Sequence, residues 1–235
     1  MTIKLNGSTA GSVALDAPAS TTGNADINFK LPVADGSANQ VIKTDGSGNL
    51  SFGTVGNSSS IQVLEQFFSP CDGSVIATSA GNLTLPNVTA YQQMTTSMAD
   101  IAGSSISYTP PTGTTQVIYM FHFVQGGDGD NDSIFSAKLL IDGSTIDSSK
   151  FTQRGGNAHF DTIQYFQFGI NIGGTASTDT GRVASWTSAK TLKMQGAEYS
   201  SNHETQVHRV QNFGYSNTPM VFRRPSIGIT AIGSV

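Results

Sequence analysis

Apolar positions fall into two patterns along the chain. Up to about residue 60 they come as short islands, Ile3/Leu5, Val13/Leu15, Ile27/Phe29/Leu31, Val41/Ile42 and Leu50/Phe52, mostly spaced two apart and separated by Gly, Ser and Asp-Gly turns. Period two predicts short strands. From residue 61 the runs lengthen: Ile61–Phe68, Ser104–Thr109, Gln116–Val124, Ile134–Ile141, Ile163–Ile172, Lys190–Gln195, Val207–Phe213, Met220–Phe222 and Ile227–Ile232. Between them stand Pro110-Pro111, Gly126-Gly127, Asp142-Gly143, Gly155-Gly156 and Gly173-Gly174, each a turn signal. A helical period is nowhere sustained; Tyr91–Ile101 is the one weak candidate, and its Thr and Ser content opposes it. The chain reads as all-β: a short N-terminal strand-built shaft or anchor over 1–60, then a jelly-roll-like β-sandwich over 61–235. Residues 61–103 are also readable as a connecting segment.

Two strands carry information beyond their existence. In 163–172, Phe166, Phe168, Ile170 and Ile172 share one face while Gln167, Gly169 and Asn171 share the other, as in a sheet with one wet side. The strand 116–124 is apolar on both faces: Val117, Tyr119, Phe121 and Phe123 on one, Ile118, Met120 and Val124 with Gln116 and His122 on the other. Such a strand needs a second cover, either a loop folded across the sheet or another subunit. The expectation is that Val117, Tyr119, Phe121 and Phe123 form an oligomer interface near a symmetry axis.

Composition narrows the function classes. Only 12% of the 235 residues are charged, about half the usual share, and the formal net charge is −4. Without a clustered basic face the chain is not expected to bind nucleic acid or an anionic membrane surface. Without an apolar run of about 20 residues it is not expected to insert into a bilayer. The opening Met1-Thr-Ile-Lys-Leu-Asn-Gly lacks the apolar core and cleavage site of a secretory signal, so synthesis in a cytoplasm is expected. The single Cys71 excludes an intrachain disulfide and reads as a buried thiol. Residues 1–60 hold two of the chain's twenty aromatics, Phe29 and Phe52. So few large apolar groups cannot offset the entropy of ordering sixty residues, so this segment is either disordered or borrows a core from other chains, and its regular strand islands favour the second.

Candidate chemistry is sparse. There are three glutamates, Glu65, Glu198 and Glu204, and five aspartates, Asp35, Asp45, Asp72, Asp128 and Asp142, that precede glycine as hairpin formers do. His203-Glu-Thr-Gln-Val-His208 has one residue too many for the helical zinc-protease motif. Gly126-Gly-Asp-Gly-Asp-Asn-Asp132 is the best metal candidate, with Asp128, Asp130 and Asp132 at alternating positions like the first ligands of a calcium loop. Ser133 stands where that loop wants glycine and Leu139 where it wants a bidentate glutamate, so no metal is expected. No nucleophile elbow, phosphate loop or dinucleotide fingerprint occurs. Neither enzymatic activity nor a cofactor is expected.

Leu31-Pro-Val-Ala-Asp-Gly36 followed by Gln40-Val-Ile-Lys-Thr-Asp-Gly-Ser-Gly-Asn-Leu-Ser-Phe52 resembles the "LP..DG…QVLkTdGsGxLsF" repeat of phage tail-fibre and related appendage proteins. The opening Met1–Pro18 is similar to the start of virion proteins from marine phages, cyanophages in particular. Gln66-Phe-Phe-Ser-Pro-Cys-Asp-Gly73, Ser107-Tyr-Thr-Pro-Pro111, Ile172-Gly-Gly-Thr-Ala176 and Ala184-Ser-Trp-Thr-Ser-Ala-Lys-Thr-Leu192 look like a domain shared among such proteins. The resemblance implies a homotrimeric structural protein of the virion, a short fibre, knob or decoration, with a head analogous to tumour-necrosis-factor or complement trimers. It also implies that 1–60 anchors the head to other virion proteins, with Leu31, Pro32, Asp35, Gly36, Val41, Asp45, Gly46 and Phe52 in the anchoring region. The alternative is a receptor-binding tip that recognises a host surface glycan through exposed Trp186, Tyr199 or Tyr215. A tailspike depolymerase is the least favoured reading, given the few carboxylates outside turns.

Overall fold

The computed structural model describes residues 3–6, 10, 12–15, 18–21, 23, 25–54, 61–127, 132–155, 161–210 and 221–234. The chain divides into two compact units, Met1–Ser58 and Ser59–Val235.

The first unit consists of two antiparallel hairpins, β1 (Ile3–Asn6) with β2 (Ser12–Leu15) and β3 (Gln40–Thr44) with β4 (Leu50–Thr54). Asp45 builds the second turn. Its Oδ1 accepts the Ser47 and Asn49 amides at 2.8 and 3.1 Å, while Gly46 and Gly48 take φ of 79° and 91°, where a Cβ is disfavoured. These hydrogen bonds, led by that from the Asn49 side chain, hold the Asp45 carboxyl below its usual range. Lys30 joins the hairpin by exchanging backbone bonds with Gly48 and Leu50.

The second unit is an all-β sandwich. Its long strands are β5 (Gln62–Pro70), β11 (Thr114–Gly126), β12 (Ile134–Ile141), β15 (Asp161–Asn171), β16 (Lys190–Glu198) and β20 (Ser226–Gly233). Shorter pieces complete it: β6 (Val75–Thr78), β7 (Gly81–Thr84), β8 (Gln92–Gln93), β9 (Ala99–Asp100), β10 (Ile106–Tyr108), β13 (Ser144–Thr145), β14 (Phe151–Arg154), β17 (Gln206–Val207), β18 (Arg209–Val210) and β19 (Val221–Phe222). One sheet runs β5-β20-β11-β15, antiparallel throughout, with β17 and β8 continuing from the far end of β11. The other runs β10-β16-β12, with β13 and β14 beside β12 and β9 beside β16. Neighbours are remote in sequence, β5 beside β20 for instance, as a jelly roll requires.

Alternate residues of both sheets point into one core. Phe121, Tyr119 and Ile229 come from the first sheet and Phe135, Leu139 and Met194 from the second, each fully buried. Phe121 stacks on Phe123 at 5.2 Å, and Phe123 meets Phe135 edge-on at 6.2 Å across the sandwich. The β12–β13 connection is Asp142-Gly143 with φ of 48° and 82°, the left-handed pair that a tight hairpin demands.

Three expectations are corrected here. Residues 61–103 are not a connector: β5 pairs along β20, and Cys71, Leu85, Val88, Met94 and Ile101 are buried in the same core. Tyr91–Ile101 contains the two-residue strands β8 and β9 and no helix, since Gln92 and Gln93 pair with β17 and Ala99 and Asp100 with β16. The run Val207–Phe213 is broken at His208, whose φ of 68° ends β17 and starts β18; residues 211–213 lie outside the described residues.

Candidate functional site

The acidic loop is described only at its end, because Asp128 and Asp130 lie outside the described residues. Asp132 is nearly buried, and its carboxylate is paired with the Arg154 Nε and with His203 Nδ1 at 3.1 Å. His203 Nδ1 also donates to the Asp132 carbonyl at 2.7 Å. The Arg154 guanidinium holds the Asp132 carboxyl below its usual range. A carboxylate already engaged by Arg154 and His203 joins β12 to β14 and the 199–205 loop, and is poorly placed to bind an ion. Among the described residues, no group of three His, Cys, Asp or Glu side chains could hold a metal.

Val117, Tyr119, Phe121 and Phe123 are not an exposed interface. They are fully buried within the second unit itself, where they form the inner face of β11. The Tyr119 hydroxyl donates to the Ser104 carbonyl at 2.6 Å. The physical reason is parity: of the two apolar faces of this strand, the sandwich takes the aromatic one, and Ile118, Met120 and His122 are turned outward.

The predicted anchoring residues divide into a cluster and a turn. Leu31, Pro32, Asp35 and Phe52 line a cleft of about 550 Å³ in the first unit. Gly36 lies beneath the Phe52 ring, where a Cβ would stand 2.6 Å from a ring carbon, so glycine is required by this close approach. Asp45 and Gly46 form the β3–β4 turn, and Val41 sits on β3, 40% exposed. The apolar side chains of this unit are open: Ile27, Phe29 and Leu31 are 59%, 63% and 77% exposed.

Of the aromatics considered for glycan stacking, Trp186 is buried and donates from Nε1 to the Tyr108 carbonyl at 3.0 Å, so it serves the core. Tyr199 is exposed beside His203. Tyr215 lies outside the described residues. Cys71 is buried, and desolvation pushes its thiol up to about 12. Glu65 accepts from the Tyr108 hydroxyl at 2.7 Å and from the Ser79 amide at 2.5 Å. Glu198 accepts the Thr205 amide at 3.1 Å.

Sequence reasoning missed two features. One is a buried polar chain at the end of the sandwich, in which Gln164 donates to Gln125, Gln125 to Ser133, and Ser133 shares a 2.7 Å hydroxyl contact with Thr205. Nothing in a one-dimensional pattern joins residues so distant. The other is the outward face of the β5-β20-β11-β15 sheet. There Phe68, His122 and Tyr165 stand side by side, with ring centroids 4.6 and 4.8 Å apart. Phe68 is 46% and Tyr165 67% exposed, and Val63 and Ile163 are also exposed. Partial burial keeps the His122 imidazole below its ordinary value. The even-numbered apolar positions of strand 116–124 were the signal for this face.

No family model matches the chain, and no curated protein matches it. Among solved structures, it is similar to the CBM36-1 domain of a multidomain xylanase from the hindgut metagenome of Trinervitermes trinervoides. That match has 11% identity and a TM-score of 0.28, covering 73% of this chain and 98% of that one. It is similar also to a chain of infectious bursal disease virus, Gt strain, with 10% identity and a TM-score of 0.31, covering 98% of this chain and 50% of that one. The VP2 subviral particle of infectious bursal disease virus matches with 10% identity and a TM-score of 0.30, over 79% of this chain and 43% of that one. The chain thus spans half or less of the length of the two viral proteins.

Proposed function

We propose that this chain is a structural, non-enzymatic component of a phage particle, a short fibre, knob or decoration assembled as a homotrimer. Residues 1–60 hold it to other virion proteins and 61–235 form the exposed head. The observation that carries this reading is the first unit. Its apolar side chains around the fibre-like Leu31-Pro-Val-Ala-Asp-Gly36 and Gln40–Phe52 strings are largely exposed, although hairpins this small need a partner to be stable. A segment that presents Phe29, Leu31 and Ile42 to its surroundings is suited to being completed by neighbouring chains. The low charge of the chain suits a surface held by backbone pairing and packing.

Immunogold labelling of purified particles with antibody to the head tests this directly. Label at a fixed position on the particle is expected; unlabelled particles that also lack the chain by mass spectrometry would overturn the reading. A Leu31→Asp variant carried by the phage is expected to leave the head folded but absent from particles.

A further inference from the structure

We propose that the outward face of the β5-β20-β11-β15 sheet is the surface on which copies of this chain pack against one another. The inference rests on the homo-oligomeric part of the reading above and assigns it a surface.

Four rows of paired residues make up this face, from Val63–Ile232–Gln116–Asn171 at one end to Pro70–Ser226–His122–Tyr165 at the other. The two rows between them are Gln66–Thr230–Ile118–Gly169 and Phe68–Gly228–Met120–Gln167. None of these positions holds Asp, Glu, Lys or Arg. The outward side of the opposite sheet is different in kind: it carries Lys138, and Lys193 paired with Asp100 at 2.8 Å.

A neutral face is self-compatible, because two identical copies can meet without bringing like charges together. A charged partner would find no counter-charge on it. Its amides are already partly satisfied within the sheet, since Gln66 Nε2 donates to Thr230 Oγ1 at 3.0 Å and Gln116 Nε2 to Asn171 Oδ1 at 2.9 Å. Drying the face therefore strands few donors. Stretches of seven or eight residues at about 3.4 Å each, in four strands about 4.8 Å apart, give a footprint of roughly 450–500 Å² before side-chain relief, more than half of the about 800 Å² per partner in a standard interface. The ring cluster of Phe68, His122 and Tyr165, drawn from two adjacent rows, supplies the aromatic anchors such an interface uses.

Light scattering on the full chain tests the assignment. The wild type is expected at a multiple of 24.6 kDa at micromolar concentration. Tyr165→Lys and Gln167→Lys, both at exposed positions, place a cation from each copy in the contact and are expected to shift the mass to that of one chain, with cooperative unfolding retained. Lys138→Glu, on the other sheet, is expected to leave the mass unchanged. If both lysine variants fold and keep the wild-type mass, the assigned surface is wrong while the homo-oligomer stands. A wild type that stays at one chain's mass overturns the surface and the homo-oligomer together. Should Tyr165→Lys fail to fold, Gln167→Lys decides alone, since a surface glutamine contributes nothing to the core. The virion reading is decided separately, by the labelled particles.

Discussion

Burial withholds a proton from His208 until the solution is markedly acid, while the unfolded chain takes one up near the ordinary histidine value. The side chain is fully buried edge-on to the stacked Phe121 and Phe123 rings, and Nε2 donates to the Ala102 carbonyl at 2.8 Å. Desolvation pulls its pKa to about 4. Between pH 6.5 and 4 the unfolded state therefore holds more protons than the folded one, so stability is lost as pH falls through that window, by about 3 kcal/mol in all. His208→Asn keeps a residue that tolerates the φ of 68° and removes the titration. Its denaturant-derived stability is expected to change less between pH 7 and 5 than the wild type's. A second residue-scale prediction concerns Gly196 on β16. A methyl there would stand 2.5 Å from the Phe135 ring carbons, inside a core with no room to yield. Gly196→Ala is expected to cost about 1–3 kcal/mol, read as a lowered melting temperature.

At the scale of elements, β11 is the strand on which both sheets' packing depends. It pairs with β15 on one side and β20 on the other, and its odd-numbered residues fill the core. Phe121→Ala is expected to destabilise the head by about 3–5 kcal/mol in chemical unfolding, whatever the oligomeric state, because the cavity opens within one chain. The strand itself was legible in the sequence, and so was the fact that both of its faces are apolar. Which face turns inward was not, since parity along a strand does not say where the second sheet lies. Asp142-Gly143 was legible for a sufficient local reason, the need for two left-handed residues in one tight turn. The short strands β8 and β9 were not, because two-residue ladders are dictated by their partners β17 and β16 and leave no period of their own. The partners of Asp132 were hidden for a related reason: spacing along the chain could not show that Arg154 and His203 would close on it.

The two units differ in how far each can sustain itself. The second has a continuous core, whereas the first leaves Phe29, Leu31 and Ile42 exposed around a single hairpin turn. Limited proteolysis of the free full-length chain is therefore expected to remove residues 1–58 first and leave a resistant product starting near Ser59, as read by mass spectrometry. Survival of the first unit at protease levels that cut the head would contradict this. The compositional break near residue 60 was visible in the distribution of aromatics alone, because large rings go where a core must be filled. The buried Cys71 has a practical consequence for the whole molecule. With its thiol buried and no second cysteine in the chain, the folded protein is expected to be silent toward maleimide dyes and disulfide exchange. Any cysteine introduced at the surface would be a unique attachment point. The native thiol would serve as a gauge in reverse, since its first reaction with a dye would mark the moment the head opens.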